Sequence, residues 1–513
     1  YREGESVEKS QLRSGVLLSY VNLIISSIIP FIYTPVMLRM LGQAEYGLYS
    51  LSASTVSYLS LLGFGFGSTI IRYVAKYRAE ENKEAEEKVF GFFLLLYCAL
   101  AALVMICGIC IATHTEFIFH QGLSVNEIKK MKRLILIMTV NSALTFPLSV
   151  VSAIIIAHER YVFRKLVDMI STVAAPIANI IALYLGYASV GMAVAATILQ
   201  ITMLPINSIY CFKNLKIYPK FSVLPRTLIK EMFGFSAFIF IGSIVDMLFW
   251  STDKVILGML ASSTVVAIYN IGSTFNTMVM NLSTSISGVL TPKITGMVVK
   301  DVGAKQLTDL FIRVGRLQFI IIALIVAGFT VFGQDFIFLW AGKEYGDAYW
   351  VAILTMFPLC IPLIQNTGLT IVIAQNKHRF RSIVYLIIAI INAMSTYFIV
   401  PHMGMIGAAL CSCIAYLLGQ GLVMNIYYDK VTGIDIALFW SNIMRLAIIP
   451  TIMLCVGLVI RRYIVFDNWN IFLLGVIVFT GIYAVTMYVF ALNDYEKQIF
   501  GGFIGKIKSI KTN

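Results

Sequence analysis

"PLSVVSAIIIAHERYVFRK", residues 147–165, returns as "PLIQNTGLTIVIAQNKHRFRS", residues 362–382. Each copy places a proline inside an apolar run, ends the run in Ala, and adds a short basic and aromatic loop. The pairing extends in both directions. "SVGMAVAATI" (189–198) aligns with "MIGAALCSCI" (405–414), and "MLGQAEYGLYSL" (40–51) aligns with "MLASSTVVAIYNI" (259–271) once one residue is inserted. Prolines, gaps and basic loops hold register as well as the apolar letters do, so shared composition does not account for the match. The chain reads as one unit written twice.

Such a chain needs a solvent that tolerates its surface. Of 513 residues, 59% are hydrophobic and 13% charged, and the mean hydropathy is +0.86. Soluble domains run at about 45–50% apolar and about 25% charged, and folding in water cannot hide so large an excess. The bilayer is the expected solvent. About 20 apolar residues cross its core as a helix. Fourteen such runs start near residues 15, 46, 89, 134, 166, 188, 233, 264, 317, 350, 382, 404, 442 and 470. The first is too long for a secretory signal core, and no small-residue cleavage pattern follows it. "LGYASVG" (185–191) and "VPHMGMIG" (400–407) read as tight hairpins. No connection is long enough for a soluble domain.

Lys and Arg gather on the cytoplasmic side of membrane helices. With the N-terminus inside, 30 of the 39 fall in the tails and even-numbered loops, against 9 in the odd-numbered loops. Both termini are therefore expected in the cytoplasm. The net charge of +13 belongs to orientation and anionic lipid rather than to nucleic acid, and the tail "GKIKSIK" (505–511) fits that role. Six spans separate the copies, an even number, so both share one orientation. Parallel repeats of this kind are related by an axis along the membrane normal, with substrate between the lobes. The expected architecture is an all-α polytopic membrane protein of about 14 transmembrane helices. Residues 1–212 form an N-terminal lobe (helices 1–6) and 213–426 a C-terminal lobe (helices 7–12), related by a parallel pseudo-twofold repeat. Residues 427–513 add two extra helices and a basic cytoplasmic tail.

"LGQAEYGLYSL" (41–51) followed by "LLGFGFGSTIIRYVAKY" (61–77) resembles the first-hairpin signature of the polysaccharide transporter family. That family belongs to the MOP (multidrug/oligosaccharidyl-lipid/polysaccharide) superfamily. The paired loops "AHERYVFRK" and "AQNKHRFRS" resemble its repeated cytoplasmic turns, and the likeness covers nearly the whole chain. The resemblance implies a MATE-like fold and a flippase of the bacterial plasma (inner) membrane. Its substrate would be an undecaprenyl-diphosphate-linked oligosaccharide, moved from the cytoplasmic to the outer leaflet by alternating access. It would serve O-antigen, lipopolysaccharide or other surface polysaccharide biosynthesis. It implies no cofactor and no enzymatic activity, an ion gradient of H+ or Na+ as the drive, and a glycan polymerase and chain-length regulator as candidate partners.

The costly part of that cargo is the diphosphate, because bare anions in low dielectric are heavily penalised. Arg and Lys replace water as its partners, and the planar fork of Arg suits phosphate oxygens. Ionisable residues within spans are functional candidates by default. Arg72 closes span 2 at the cytoplasmic end, and the repeat sets Lys293 at the matching end of span 8. Arg39 and Lys254 close spans 1 and 7 on the outer side. The expectation is that Arg72 and Lys293 receive the diphosphate inside and that Arg39 and Lys254 meet it outside. Snorkelling end-of-helix cations are the plainer reading of all four.

Span 7 also carries Asp246 near mid-membrane, the better candidate for ion coupling, and Asp253, a second candidate whose plainer reading is pairing with Lys254 or water. Asn22 and Tyr33 in span 1, Asn141 in span 4, Asn276 in span 8 and Gln365 in span 10 are candidates to line a sugar-binding cavity. Interhelical hydrogen bonding explains each of these equally well. No metal is expected. Cys107-x-x-Cys110 and Cys411-x-Cys413 lack a second ligand pair, and the five histidines are scattered. The glycines of "GFGFG" (63–67) lack the G-x-G-x-x-G spacing and soluble setting of a dinucleotide cradle, and read as packing.

Two rival functions stay open at this point. A cation-coupled multidrug exporter of the same fold would want an acidic cavity, against which Arg72, Lys254 and Lys293 weigh. A glycan polymerase or ligase would want a sizeable external loop, and the longest here is the short one near 113–133.

Overall fold

In hydrocarbon a backbone N–H or C=O has no water to bond, so a spanning chain must satisfy these groups within itself. The computed structural model describes residues 2–498 other than Val223, Asp301, Asn376 and Val465, and among them it contains helices and turns but no strand. The tail 505–511 lies outside the described residues. The helices are α1 (Arg2–Leu41), α2 (Gln43–Ser57), α3 (Phe66–Ala79), α4 (Lys83–Phe119), α5 (Val125–Ala157), α6 (Tyr161–Tyr184), α7 (Ala188–Ile209), α8 (Arg226–Trp250) and α9 (Thr252–Leu260). They continue as α10 (Ser263–Val299), α11 (Ala304–Trp340), α12 (Ala348–Ile364), α13 (Asn366–Ala374), α14 (His378–Tyr416), α15 (Met424–Tyr427), α16 (Ile436–Arg461) and α17 (Trp469–Phe490).

Among the described residues, eleven stretches are long and apolar enough to cross a membrane, twelve if the bent pair α12–α13 counts as one span. The sequence runs near 382 and 404 share the single stretch Arg379–Thr432, which kinks at Gly404, where φ is 55°. The run near 264 lies on α10, 37 residues long. The 45° bend between α12 and α13 follows from Pro358 and Pro362, each of which removes a helix hydrogen bond.

The bilayer is written on the surface of α6. Leu166, Ile170, Val173, Ile177 and Ile181 recur at three- and four-residue spacing, and all are exposed, Ile170 by 58% and Ile181 by 55%. Water would penalise such a stripe, and lipid does not.

The chain forms two compact units. One holds residues up to Ala267 with Thr396–Gly404, and the other holds Ile268–Ser395 with the residues from Met405 onward. The first therefore includes α8 and α9. Its core is built where α4 packs on α5, with Phe90, Phe93, Leu134, Ile135 and Ile154 fully buried. In the second, α11, α16 and α17 enclose Phe332, Phe472, Phe479 and Tyr483, and the Tyr483 hydroxyl donates to the Ile320 carbonyl at 2.9 Å.

The repeat is present in the side chains of each unit. After α5, Phe163 stacks on Tyr210 with ring centroids 3.6 Å apart, and after α13, Phe380 stacks on Tyr427 at 4.6 Å. Both tyrosines lead into a π-helical turn that closes on a left-handed residue, Lys216 (φ 55°) or Gly433 (φ 75°). The Ile217 amide then reaches back to the Cys211 carbonyl, as the Ile434 amide does to that of Tyr428. Every pair is offset by 217 residues. Thus the basic and aromatic turn of each copy packs on the end of the second span that follows it.

Glycine sets the closest approaches. A Cβ on Gly47 of α2 would lie 1.7 Å from the Ser263 carbonyl oxygen, and one on Gly122 would lie 2.2 Å from that of Gly258. Backbone cannot give way as a side chain can. Gly47→Ala is expected to cost at least the roughly 1–3 kcal/mol of core overpacking, read as a lowered melting temperature, whereas Gly67→Ala, with open space around it, should melt with the wild type.

Candidate functional site

The stretch "GFGFG" sits at a break in a membrane span. A 3-10 turn (Tyr58–Gly63) ends α2, then Phe64 (φ 49°) and Gly65 (φ 67°) are both left-handed before α3 begins. A Cβ on Gly65 would stand 2.5 Å from Ile239 of α8, so this position needs glycine for its backbone and for its neighbour. A Cβ on Gly63 would make only ordinary contact with Phe146, at 3.6 Å, and Gly67 faces open space. The three glycines expected to pack therefore divide: Gly65 packs tightly, and Gly67 lines a cavity described below.

This break starts a helix that carries Arg72. Its side chain is exposed, and the guanidinium lies 4.7 Å from the centroid of the Phe235 ring on α8. No carboxylate lies within ion-pair distance of it among the described residues. Of the other expected cations, Arg39 is exposed in the last turn of α1, and Lys254 is half-buried on α9. Lys293 is on α10, and its side chain is outside the described set.

Asp253 is the buried acid of this region, 1% exposed, and the Thr396 hydroxyl donates to its Oδ1 at 3.2 Å. Around it, Tyr58 and Thr252 share a hydroxyl–hydroxyl bond of 2.5 Å, and Ser57 and Ser251 one of 3.3 Å. Thus Thr396 holds the carboxylate from far along the chain, and the two hydroxyl pairs tie the end of α2 to the start of α9 beside it. Asp246, two turns earlier on α8, is exposed.

The cavity in the first unit measures about 410 Å³ and lies among α3, α5, α6 and α7. Gly67 opens one wall. On α6, Arg164 pairs with Asp168 at 2.9 Å and donates to the Ser152 hydroxyl of α5 at 3.0 Å. Gln200 of α7 donates to Thr145 of α5 at 3.0 Å. Asn207, fully buried, gives its Nδ2 to the Met203 carbonyl and leaves its Oδ1 without a partner. Asn141, one turn before Thr145, accepts that hydroxyl's bond on its backbone carbonyl. Sequence reasoning missed Arg164, Asp168, Gln200 and Asn207. The signal was an Arg and an Asp four residues apart, beginning inside the quoted loop, which the count of loop charges absorbed.

Of the remaining expected polar residues, Asn276 and Gln365 hold helices together. Asn22 and Tyr33 lie on α1, which packs on α6, with the Tyr33 hydroxyl beside Asn179 of α6 and the Asn22 Oδ1 buried. In the second unit, buried Asn276 donates to Thr355. Gln365, at the α12–α13 bend, donates to Asn425 at 2.7 Å, and that Asn425 oxygen also accepts from the Trp440 indole. An apolar cavity of about 360 Å³ lies among α11, α16 and α17, walled by Phe332, Met453, Phe466, Leu474 and Phe479.

A profile described as polysaccharide biosynthesis protein matches residues 12–298, more than half of the chain. The chain belongs to that family. A member-length relative, the uncharacterized membrane protein EpsK of Bacillus subtilis (strain 168), is 20% identical over 481 residues, covering 91% of this chain and 92% of its own. The fold of this polysaccharide biosynthesis protein is shared with a lipid II flippase, MurJ, in an inward closed conformation. The TM-score is 0.73 at 17% identity, with 93% of this chain and 98% of that one covered. A multidrug resistance MATE family transporter of the MOP superfamily, inward-facing, superposes with a TM-score of 0.59 at 14% identity, over 80% of this chain and 99% of its own. The MATE transporter VcmN of Vibrio cholerae, in its bent form, gives 0.55 at 12% identity, over 85% and 99%. The multi-pass, all-helical membrane architecture expected from the sequence is therefore the one this family member has. Among its described residues, no cluster of three His, Cys, Asp or Glu could hold a metal ion.

Proposed function

We propose that this family member flips an undecaprenyl-diphosphate-linked oligosaccharide from the cytoplasmic to the outer leaflet of a bacterial plasma membrane by alternating access, with both termini in the cytoplasm. The observation that carries the reading is Arg72: an exposed guanidinium at a membrane helix, oriented by an aromatic ring and answered by no carboxylate within reach among the described residues. A cation held this way offers its fork to an external anion, and a diphosphate is the anion such a substrate brings. In this reading Lys293 shares the inner position, and Arg39 and Lys254 meet the diphosphate outside. The polymerase and chain-length regulator of a surface polysaccharide are the partners that would follow.

Bare undecaprenyl diphosphate should bind the purified chain, and Arg72→Ala should weaken it about tenfold to a hundredfold, the worth of a charged hydrogen bond. Binding of the lipophilic cation tetraphenylphosphonium in its place would favour a drug exporter.

Asp253 is the proposed coupling residue, buried and bonded by the Thr396 hydroxyl, with Asp246 as a second acid on the same path. A buried carboxylate in a membrane span can take up either H+ or Na+. Asp253→Asn should leave lipid binding intact and abolish the dependence of transport on an imposed H+ or Na+ gradient. Unchanged gradient dependence in Asp253→Asn would remove this residue from the mechanism.

A further inference from the structure

The cavity among α3, α5, α6 and α7 has a chemistry that the diphosphate does not need. Among the described residues that line it the one cation, Arg164, is already neutralised by Asp168 at 2.9 Å, so these residues offer no net charge to an anion. What it does offer is hydrogen bonding: Thr145, Ser152, Gln200 and Asn207 all line it. Asn207 decides the matter. Asn207 is fully buried, its nitrogen is committed to the Met203 carbonyl, and its oxygen has no partner. A buried acceptor left unpaired costs about 1–3 kcal/mol, and a hydroxyl donor entering from the cavity would recover it. The apolar part of the wall, with Leu148, Ile156 and Met203, suits the C–H faces of a ring. At about 410 Å³ the space falls in the range of small-molecule sites, roughly 300–1,000 Å³.

We infer that this cavity binds an uncharged saccharide unit, with Asn207 and Gln200 reading its hydroxyls and the Arg164–Asp168 pair fixing the cavity wall. The inference rests on the flippase reading for its biological sense, since the sugar would be part of the same substrate. It assigns the sugar's recognition to a site separate from Arg72, whose guanidinium turns toward Phe235 of α8.

The test is saturation-transfer NMR on the full chain in lipid nanodiscs. The probes are the methyl glycosides of glucose, galactose and N-acetylglucosamine, with glucuronic acid as the charged comparison. At least one neutral glycoside should receive saturation. Asn207→Leu and Gln200→Leu should each weaken it about tenfold. Gln200 is half-buried and bonds one side chain, so its variant keeps the test sound if Asn207→Leu fails to fold. No contact with any neutral glycoside, contact unchanged in Gln200→Leu, or preference for glucuronic acid would each overturn the inference. Bare undecaprenyl diphosphate, which has no sugar, is the control. Its binding should survive Gln200→Leu and be weakened by Arg72→Ala, so failure of the sugar site and failure of the flippase reading give different results.

Discussion

Arg316→Ala should be the most destabilising single substitution outside the aromatic cores. Arg316 of α11 is 8% exposed, and its Nε and Nη2 donate to the two carboxylate oxygens of Glu496 at 2.6 and 2.9 Å. Glu496 is 1% exposed and lies just past α17. The same guanidinium reaches the carbonyls of Asn442 on α16 and Ala491 at the end of α17. Glu496 in turn accepts the Asn493 amide and donates its own to the Asn493 side chain. One side chain therefore ties α11, α16 and the end of α17. Deleting it strands a buried carboxylate, and breaking a pair of this kind costs about 3–5 kcal/mol. Replacing both partners with apolar residues, Arg316→Met with Glu496→Leu, should recover much of that loss, because neither charge is then left unpaired. The melting temperature of the three proteins in detergent checks it. A wild-type melting temperature for Arg316→Ala would mean that the pair does not anchor the last helices.

Arg72→Glu should abolish export while leaving the protein folded. The separation of the two effects follows from its surroundings. Losing an exposed contact with the Phe235 ring costs about 0.5–1 kcal/mol, and no acidic partner among the described residues is abandoned. Toward a diphosphate, however, the change converts attraction into repulsion. For unit charges at 4 Å each is worth on the order of 4 kcal/mol under partly screened conditions. Cell-surface glycan in a strain depending on this chain should fall to background with Arg72→Glu and only in part with Arg72→Lys, which keeps the charge but not the planar fork or its stacking. Full export by the Glu variant, at normal protein level, would discard Arg72 as the inner receptor.

The fold was legible because its main determinants are local and periodic. The repeat of 147–165 in 362–382 carried through to the paired stacks of Phe163 on Tyr210 and Phe380 on Tyr427. The apolar runs predicted the membrane helices, that of α6 among them. Less legible were features set by tertiary neighbours. The alternate glycines at 63, 65 and 67 look equivalent in the sequence, yet only Gly65 faces a close side chain, because only there does α8 bring Ile239 against the break. Asp253 and Thr396 are far apart in the chain, and no periodicity links them. The polar cavity draws Thr145, Arg164, Gln200 and Asn207 from three helices, each an ordinary polar residue in its own segment. The buried Arg316 counted as a plain loop cation for the same reason: its carboxylate partner is 180 residues away.

The measurement that bears most directly on the central claim is translocation by the purified chain in proteoliposomes. The substrate is a fluorescent undecaprenyl-diphosphate-linked oligosaccharide, and the readout is its access to a membrane-impermeant quencher. Wild-type protein should move the lipid between leaflets, faster under an imposed ion gradient, and Arg72→Glu should fall to the rate of protein-free vesicles. Equal rates for wild type, Arg72→Glu and empty vesicles, with the protein folded and correctly inserted, would contradict it.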